Sequence, residues 1–315
     1  MSMNALRTPD ERFASLPGYP FSPNYLTPLS DQPALRMHVI DEAPTGPSNG
    51  RVALCLHGQP TWSYLYRRMI PGLQSAGFRV VAPDLFGFGK SDKPVDEQAY
   101  TFTFHRRSLL GLISAMNLQH ITLICQDWGG LLGLTIPMEM PDRFSALLVM
   151  NTMLGTGDQP LAQGFLDWRA WNAKNPDLPV AALMKRAVPH LSEAEAQAYA
   201  APFPDATFKS GVRRFPNLVP DRPDADGAAL SRQAREWWST AWSGPTAMAI
   251  GMTDPVLGAP VMRNLAQSIR GCPPAIELPN AGHFVQEWGE DVLAAALPLL
   301  DGRSTSGRAQ AEADG

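Results

Sequence analysis

The sequence predicts an α/β domain, a mostly parallel central sheet with an inserted helical segment. Three observations carry this reading. Short, nearly continuous apolar runs recur along the chain, as strands buried on both faces require. Helix-like segments alternate with them, the order that packs helices over a parallel sheet. The alternation then stops after Asn151 and resumes only at Thr246.

The elements follow in chain order. Residues 33–43 (PALRMHVIDEA) and 51–57 (RVALCLH) read as strands, as do 78–84 (FRVVAPD), 121–127 (ITLICQD), 145–151 (SALLVMN) and 246–252 (TAMAIGM). Between the early strands lie helix-like stretches at 62–76, 103–117 and 129–140. Residues 153–227 carry no convincing strand but helical patches at 161–173, 178–187 and 192–200, and a further helix is expected at 229–242. Ser192 followed by Glu195 is a capping box that marks the start of the third patch. The expected organisation is therefore a core from 1–152 and 228–301, a helical cap at 153–227, and a small polar tail at 302–315 that is disordered.

Composition narrows the function. With 26 basic and 30 acidic residues the formal charge is −4, which gives no positive surface for a nucleic-acid backbone. At 44% hydrophobic and 18% charged, the chain has apolar mass for a large core. A chain of this length buries roughly three quarters of its unfolded surface, without disulfides or a metal. Cys55, Cys125 and Cys272 form no CxxC pair and read as buried, reduced thiols. The six histidines show no metal-ligand spacing, so no metal site is legible; no organic cofactor is expected either, water being the second reactant in the chemistry derived below. No signal peptide or membrane span is legible, and a cytoplasmic monomer is expected. Gly89-Lys90-Ser91 echoes a phosphate loop, but Asp84 stands where the first glycine belongs.

The chemistry lies at Cys125-Gln126-Asp127-Trp128-Gly129-Gly130, between a strand and a helix-like run. The α/β-hydrolase fold places its nucleophile on such a strand-to-helix turn, in a G-x-Nu-x-G pattern. Here Asp127 holds the nucleophile position, Gly129 the second glycine, and Cys125 replaces the first. His57-Gly58-Gln59-Pro60 follows an earlier strand, where that fold takes an oxyanion-hole N–H. Asp254 ends a strand and His283 sits on a late loop, which gives the chain order nucleophile, acid, base. Singly, each of these is an ordinary turn residue; the ordered set is what points to catalysis. A serine alkylated at carbon becomes an ether, which water does not readily cleave. An alkylated aspartate becomes an ester, which a histidine-activated water hydrolyses. Asp127 therefore points to attack on an sp³ carbon bearing a leaving group, with haloalkanes and epoxides as the two substrate classes.

The segments HGQPTWSYLYR, DLFGFGKSDKP, CQDWGG, GMTDPVLG and AGHFVQEWGE resemble the haloalkane dehalogenases, and MKR, LSEAEAQAYAAPFPD and GVRRFPNLV extend the resemblance over about residues 15–300. It is greatest to the subfamily whose triad acid follows the cap. The resemblance implies a triad of Asp127, Asp254 and His283, and an oxyanion hole from the backbone N–H groups of Gln59 and Trp128. It implies halide donors at Trp128 and Trp168, with Trp171 one helical turn away as the alternative. Indole N–H groups suit a halide because they donate and cannot accept. The pocket wall implied by resemblance is Phe165, Phe215, Val219, Val256, Leu257 and Phe284. The subfamily commonly has Glu where this chain has Gln59, which leaves the role of that side chain open. The partners implied are a small apolar halogenated substrate and a halide ion.

Three relatives in fold are disfavoured. Epoxide hydrolases protonate their substrate with two cap tyrosines, and residues 153–227 contain one, Tyr199. Fluoroacetate dehalogenases place an arginine after the nucleophile to hold a carboxylate; here it is Trp128, so anionic substrates are disfavoured. Non-catalytic receptors of this fold tend to lose a triad member, and all three are present.

Overall fold

Residues 3–301 are described by a computed structural model; the 302–315 tail lies outside the described residues. The main sheet has eight strands. In chain order they are β1 (Asn24–Leu26), β2 (Met37–Glu42), β3 (Val52–Leu56), β4 (Arg79–Pro83), β5 (Ile121–Gln126), β6 (Phe144–Met150), β7 (Thr246–Gly251) and β8 (Ile276–Leu278). The order across the sheet is β8-β7-β6-β5-β3-β4-β2-β1. Every pair from β8 to β4 is parallel. All residues of β3, β5 and β7 are buried, which is why these strands read as unbroken apolar runs.

The first expected strand is corrected. Residues 33–36 form turns and loop, β2 begins only at Met37, and it runs antiparallel to both β4 and β1. No helix separates β2 from β3, so the chain makes no crossover there, and a parallel neighbour requires one.

The helices are α1 (Ile70–Ser75), α2 (Phe102–Ala115), α3 (Trp128–Gly133), α4 (Gln163–Lys174), α5 (Val180–Ala187), α6 (Glu193–Ala200), α7 (Ser210–Arg214), α8 (Ala228–Thr240), α9 (Ala259–Gln267) and α10 (Gly289–Leu300). Two expected helices are shorter. The stretch 62–76 splits into a 3₁₀ turn at Ser63–Tyr66 followed by α1. The stretch 129–140 ends at Gly133, shortly before Pro137, which has no N–H to continue a helical ladder. Between β6 and β7 the chain carries α4 to α8 and no strand. The capping box at α6 forms: Ser192 Oγ accepts from the Glu195 N–H at 3.2 Å, and Glu195 Oε2 accepts from the Ser192 N–H at 2.9 Å.

Cys55 and Cys125 are buried free thiols in β3 and β5, and burial raises both well above the usual thiol range. Cys272 is free but only partly buried, in the loop after α9, against the expectation of burial. Among the described residues no helix is long and apolar enough to cross a membrane, and no cluster of His, Cys, Asp and Glu could hold a metal.

Candidate active site

β5 delivers Asp127 at its C-terminal end, and α3 begins at the next residue. Asp127 takes φ +50°, which is strained for a residue with a Cβ. The turn is held by its neighbours: the Asp127 N–H donates to the Asn151 carbonyl at 3.0 Å, and Thr152 Oγ1 donates to the Asp127 carbonyl at 2.7 Å. Crowding explains the glycines. A Cβ on Gly129 would stand 2.0 Å from the Leu56 carbonyl oxygen, and one on Gly58 would stand 2.0 Å from Asp127 Oδ1.

The side chains expected to form a triad come together. Asp127 Oδ1 accepts the Gln59 N–H at 2.8 Å, and Oδ2 lies 3.5 Å from His283 Nε2. On its other side, His283 Nδ1 is 2.8 Å from Asp254 Oδ2. Asp254 also accepts from Asn151 Nδ2 and from the Val256 N–H, both at 2.8 Å. Burial would raise the Asp254 carboxyl, but His283 and these two donors outweigh it and hold it below the usual range. Burial would lower His283, but the carboxylates of Asp254 and Asp127 win and push it up to about 10. The carboxylates on either side of the ring therefore favour its protonated form.

These groups open into a cavity of about 430 Å³, within the range of small-molecule sites. Five of the six expected wall residues line it: Phe165, Val219, Val256, Leu257 and Phe284. The sixth, Phe215, does not. It is buried behind Trp128, with ring centroids 4.8 Å apart, and its neighbour Pro216 lines the cavity instead. Trp128 and Trp168 both line the cavity, whereas Trp171 is absent from the lining and stacks on Trp168 at 5.5 Å. Among the described residues no tyrosine lines the cavity. Tyr199 is buried elsewhere, where its hydroxyl donates to Glu287.

Comparison with known proteins decides the family. The chain matches the alpha/beta hydrolase fold family over residues 52–290. A haloalkane dehalogenase of Psychrobacter cryohalolentis is 44% identical over 303 residues, 95% of this chain and 98% of that one. A haloalkane dehalogenase of Mycobacterium marinum is 42% identical over 294 residues, 90% of this chain and 95% of that one. The solved tetrameric structure of the haloalkane dehalogenase DpaA from Paraglaciecola agarilytica NO2 matches with a TM-score of 0.90 at 51% identity, covering 94% of this chain and 98% of that one. The chain belongs to the haloalkane dehalogenase family. The monomer expected from the sequence finds no support in that tetrameric relative.

In this family member two amides that the sequence reading passed over complete the site. Asn151, after β6, donates to Asp254 while its Oδ1 accepts the Gly251 N–H at 2.8 Å, so it ties the acid to the end of β7. Gln126 is fully buried, and its Nε2 lies 2.9 Å from His283 Nε2 and 3.1 Å from the His283 carbonyl oxygen. The Gln59 side chain donates to the Val212 carbonyl at 3.0 Å, which joins the loop after β3 to α7. The only available signal for these amides was position: each stands beside a strand's C-terminal end, where sites of open α/β sheets lie.

Proposed function

We propose that this haloalkane dehalogenase converts primary haloalkanes and water to alcohol, halide and a proton through an alkyl ester on Asp127. The observation that carries the reading is a carboxylate on the strained elbow, with His283 Nε2 3.5 Å from its Oδ2, inside an apolar cavity without a tyrosine among the described residues. Asp127 forms a C–O bond to the substrate carbon as the carbon–halogen bond breaks, and the halide leaves with the electron pair. The indole N–H groups of Trp128 and Trp168 stabilise the developing halide. Residues 153–227 act as the cap that supplies Trp168 and Phe165, and the apolar wall keeps bulk water from the nucleophile.

The second half follows from electrostatics. Alkylation removes the charge of Asp127, one of the two carboxylates that hold His283 protonated. The imidazole then falls in pKa, releases its proton and takes one from water, which attacks the ester carbonyl. The backbone N–H groups of Gln59 and Trp128 stabilise the oxyanion, and Asp254 orients the ring and balances its charge. No cofactor enters these steps. Three free thiols favour a reducing compartment, the cytoplasm, as the place of action.

The test is His283→Ala with 1-bromobutane. We expect a single burst of bromide and a butyl mass increment on the Asp127 peptide. Steady turnover by this variant would remove His283 as base. Diol formation from styrene oxide by the native chain, without bromide release from 1-bromobutane, would replace the reading by epoxide hydrolysis.

A further inference from the structure

Four ionisable residues line the cavity among the described residues: Asp127, Asp254, His283 and Arg186. Of the first three, His283 bridges the two carboxylates. Arg186, in the last turn of α5, is different. It alone of the described arginines makes neither an ion pair nor a hydrogen bond within the described residues. Its guanidinium carbon instead lies 5.4 Å from the centre of the Trp171 ring, which stacks on Trp168. A cation over an aromatic face is held in place without being neutralised. The guanidinium thus keeps its charge at the cavity lining, on a ring pair that runs back to Trp168.

The lining is graded. Trp128, Leu131, Phe165, Leu257 and Phe284 are buried, whereas Arg186 and Asn280 are exposed. Asn280 adds a carboxamide whose side chain has no hydrogen-bond partner among the described residues. The exposed rim thus carries a guanidinium and an amide without partners among the described residues, and among those residues the only lining carboxylates are Asp127 and Asp254 of the reacting end. A guanidinium presents paired N–H donors in the geometry that a carboxylate accepts.

We propose that Arg186, with Asn280, is a mouth subsite for a carboxylate at the far end of the substrate, so that ω-haloalkanoates are turned over in preference to their neutral analogues. This rests on the dehalogenase reading above and names a substrate class for the same site. The reacting end stays apolar: Asp127 forms its C–O bond, the halide leaves, and water regenerates the acid to give an ω-hydroxyalkanoate, halide and a proton. The expectation that anionic substrates are disfavoured is thereby narrowed to a carboxylate beside the reacting carbon, where the group after the nucleophile is Trp128 rather than a cation.

The experiment compares ω-bromoalkanoates of four to ten carbons with their methyl esters, by bromide release at low ionic strength. The readout is the acid-to-ester ratio of kcat/KM. For the native chain we expect a ratio of ten or more at one or two chain lengths, falling at least tenfold in Arg186→Gln and recovering in part in Arg186→Lys. Sodium sulfate, which screens charge, should lower the native ratio as well. A ratio below one at every length would overturn the proposal. So would an equal effect of Arg186→Gln on acids and esters, which would assign Arg186 to packing on Trp171 or to halide exit. The dehalogenase reading fails separately, if the native chain releases no bromide from the esters or from 1-bromobutane.

Discussion

Gln126 holds His283 at two points, its side-chain nitrogen lying 3.1 Å from the histidine carbonyl oxygen and 2.9 Å from Nε2. A carbonyl oxygen only accepts, so this contact fixes the orientation of the amide. The second N–H then needs a lone pair on Nε2, which exists only in the neutral ring. Gln126 thus opposes Asp127, which draws a proton onto the same nitrogen from 3.5 Å. Its removal takes away a bond made to the neutral form, so the His283 pKa rises. For Gln126→Leu we expect the acidic limb of the kcat profile to move up by about one pH unit, the worth of one such hydrogen bond. An unmoved limb with a reduced kcat would mean that the residue only packs.

The two tryptophans of α4 make a ranked prediction. Trp168 lines the cavity and Trp171 stands behind it, so only Trp168 offers its ring to a bound halide. Loss of a hydrogen bond to an ion costs about 1.5–3 kcal/mol, roughly 10- to 150-fold in binding. Trp168→Phe should weaken bromide binding, followed by tryptophan fluorescence or calorimetry, by that order. Trp171→Phe should change it less than about threefold, and the opposite ranking would transfer the role.

The parts of the fold that carry the site were legible because each rests on a local rule. β3, β5, β6 and β7 are buried on both faces, so their apolar runs match the observed bounds within a residue. Asp127 follows β5 directly, and Asp254 stands three residues after the end of β7. β8 escaped notice because Ile276-Glu277-Leu278 is three residues long and carries a charge. Gln126 and Asn151 were illegible for a different reason. An amide has the same local pattern whether it faces water or a histidine, and only the closing of β5, β6 and β7 side by side decides which. Phe215 shows the converse: resemblance supplied a wall residue, and the turn at Pro216 sends its ring behind Trp128.

A buried ion cluster joins α6 to the loop of His283. Glu287 accepts from Arg67 at 2.6 and 3.0 Å and from Arg68 at 2.8 Å, and the Tyr199 hydroxyl also donates to it. Glu195 of α6 takes the other face of Arg67 at 2.9 Å. Glu287 is fully buried, so its loss strands a desolvated guanidinium on one partial partner. Glu287→Ala should cost about 3–5 kcal/mol in urea unfolding. Glu287→Gln, which keeps shape and an acceptor, should cost less; equal costs would mean that packing rather than charge decides.

His105 of α2 is buried with neither ring nitrogen hydrogen-bonded among the described residues, against Tyr100, Phe104 and Phe215 at ring distances of 5.8, 5.1 and 4.7 Å. Burial lowers it to about 3, and His57 nearby acts in the same direction. The folded state therefore keeps this ring neutral while the unfolded state protonates it near pH 6.5. Between pH 6.5 and about 3 the unfolded chain binds the extra proton, so stability is lost as pH falls through that window, by about 1.4 kcal/mol per unit for this one group. His105→Phe fills the same aromatic surroundings and has no proton to bind. We expect it to remove that slope from the pH dependence of urea unfolding and to add about 1–3 kcal/mol at neutral pH by deleting two unpaired buried nitrogens. An undiminished slope would show that His105 finds a partner in solution, and that acid sensitivity arises from the carboxylates alone.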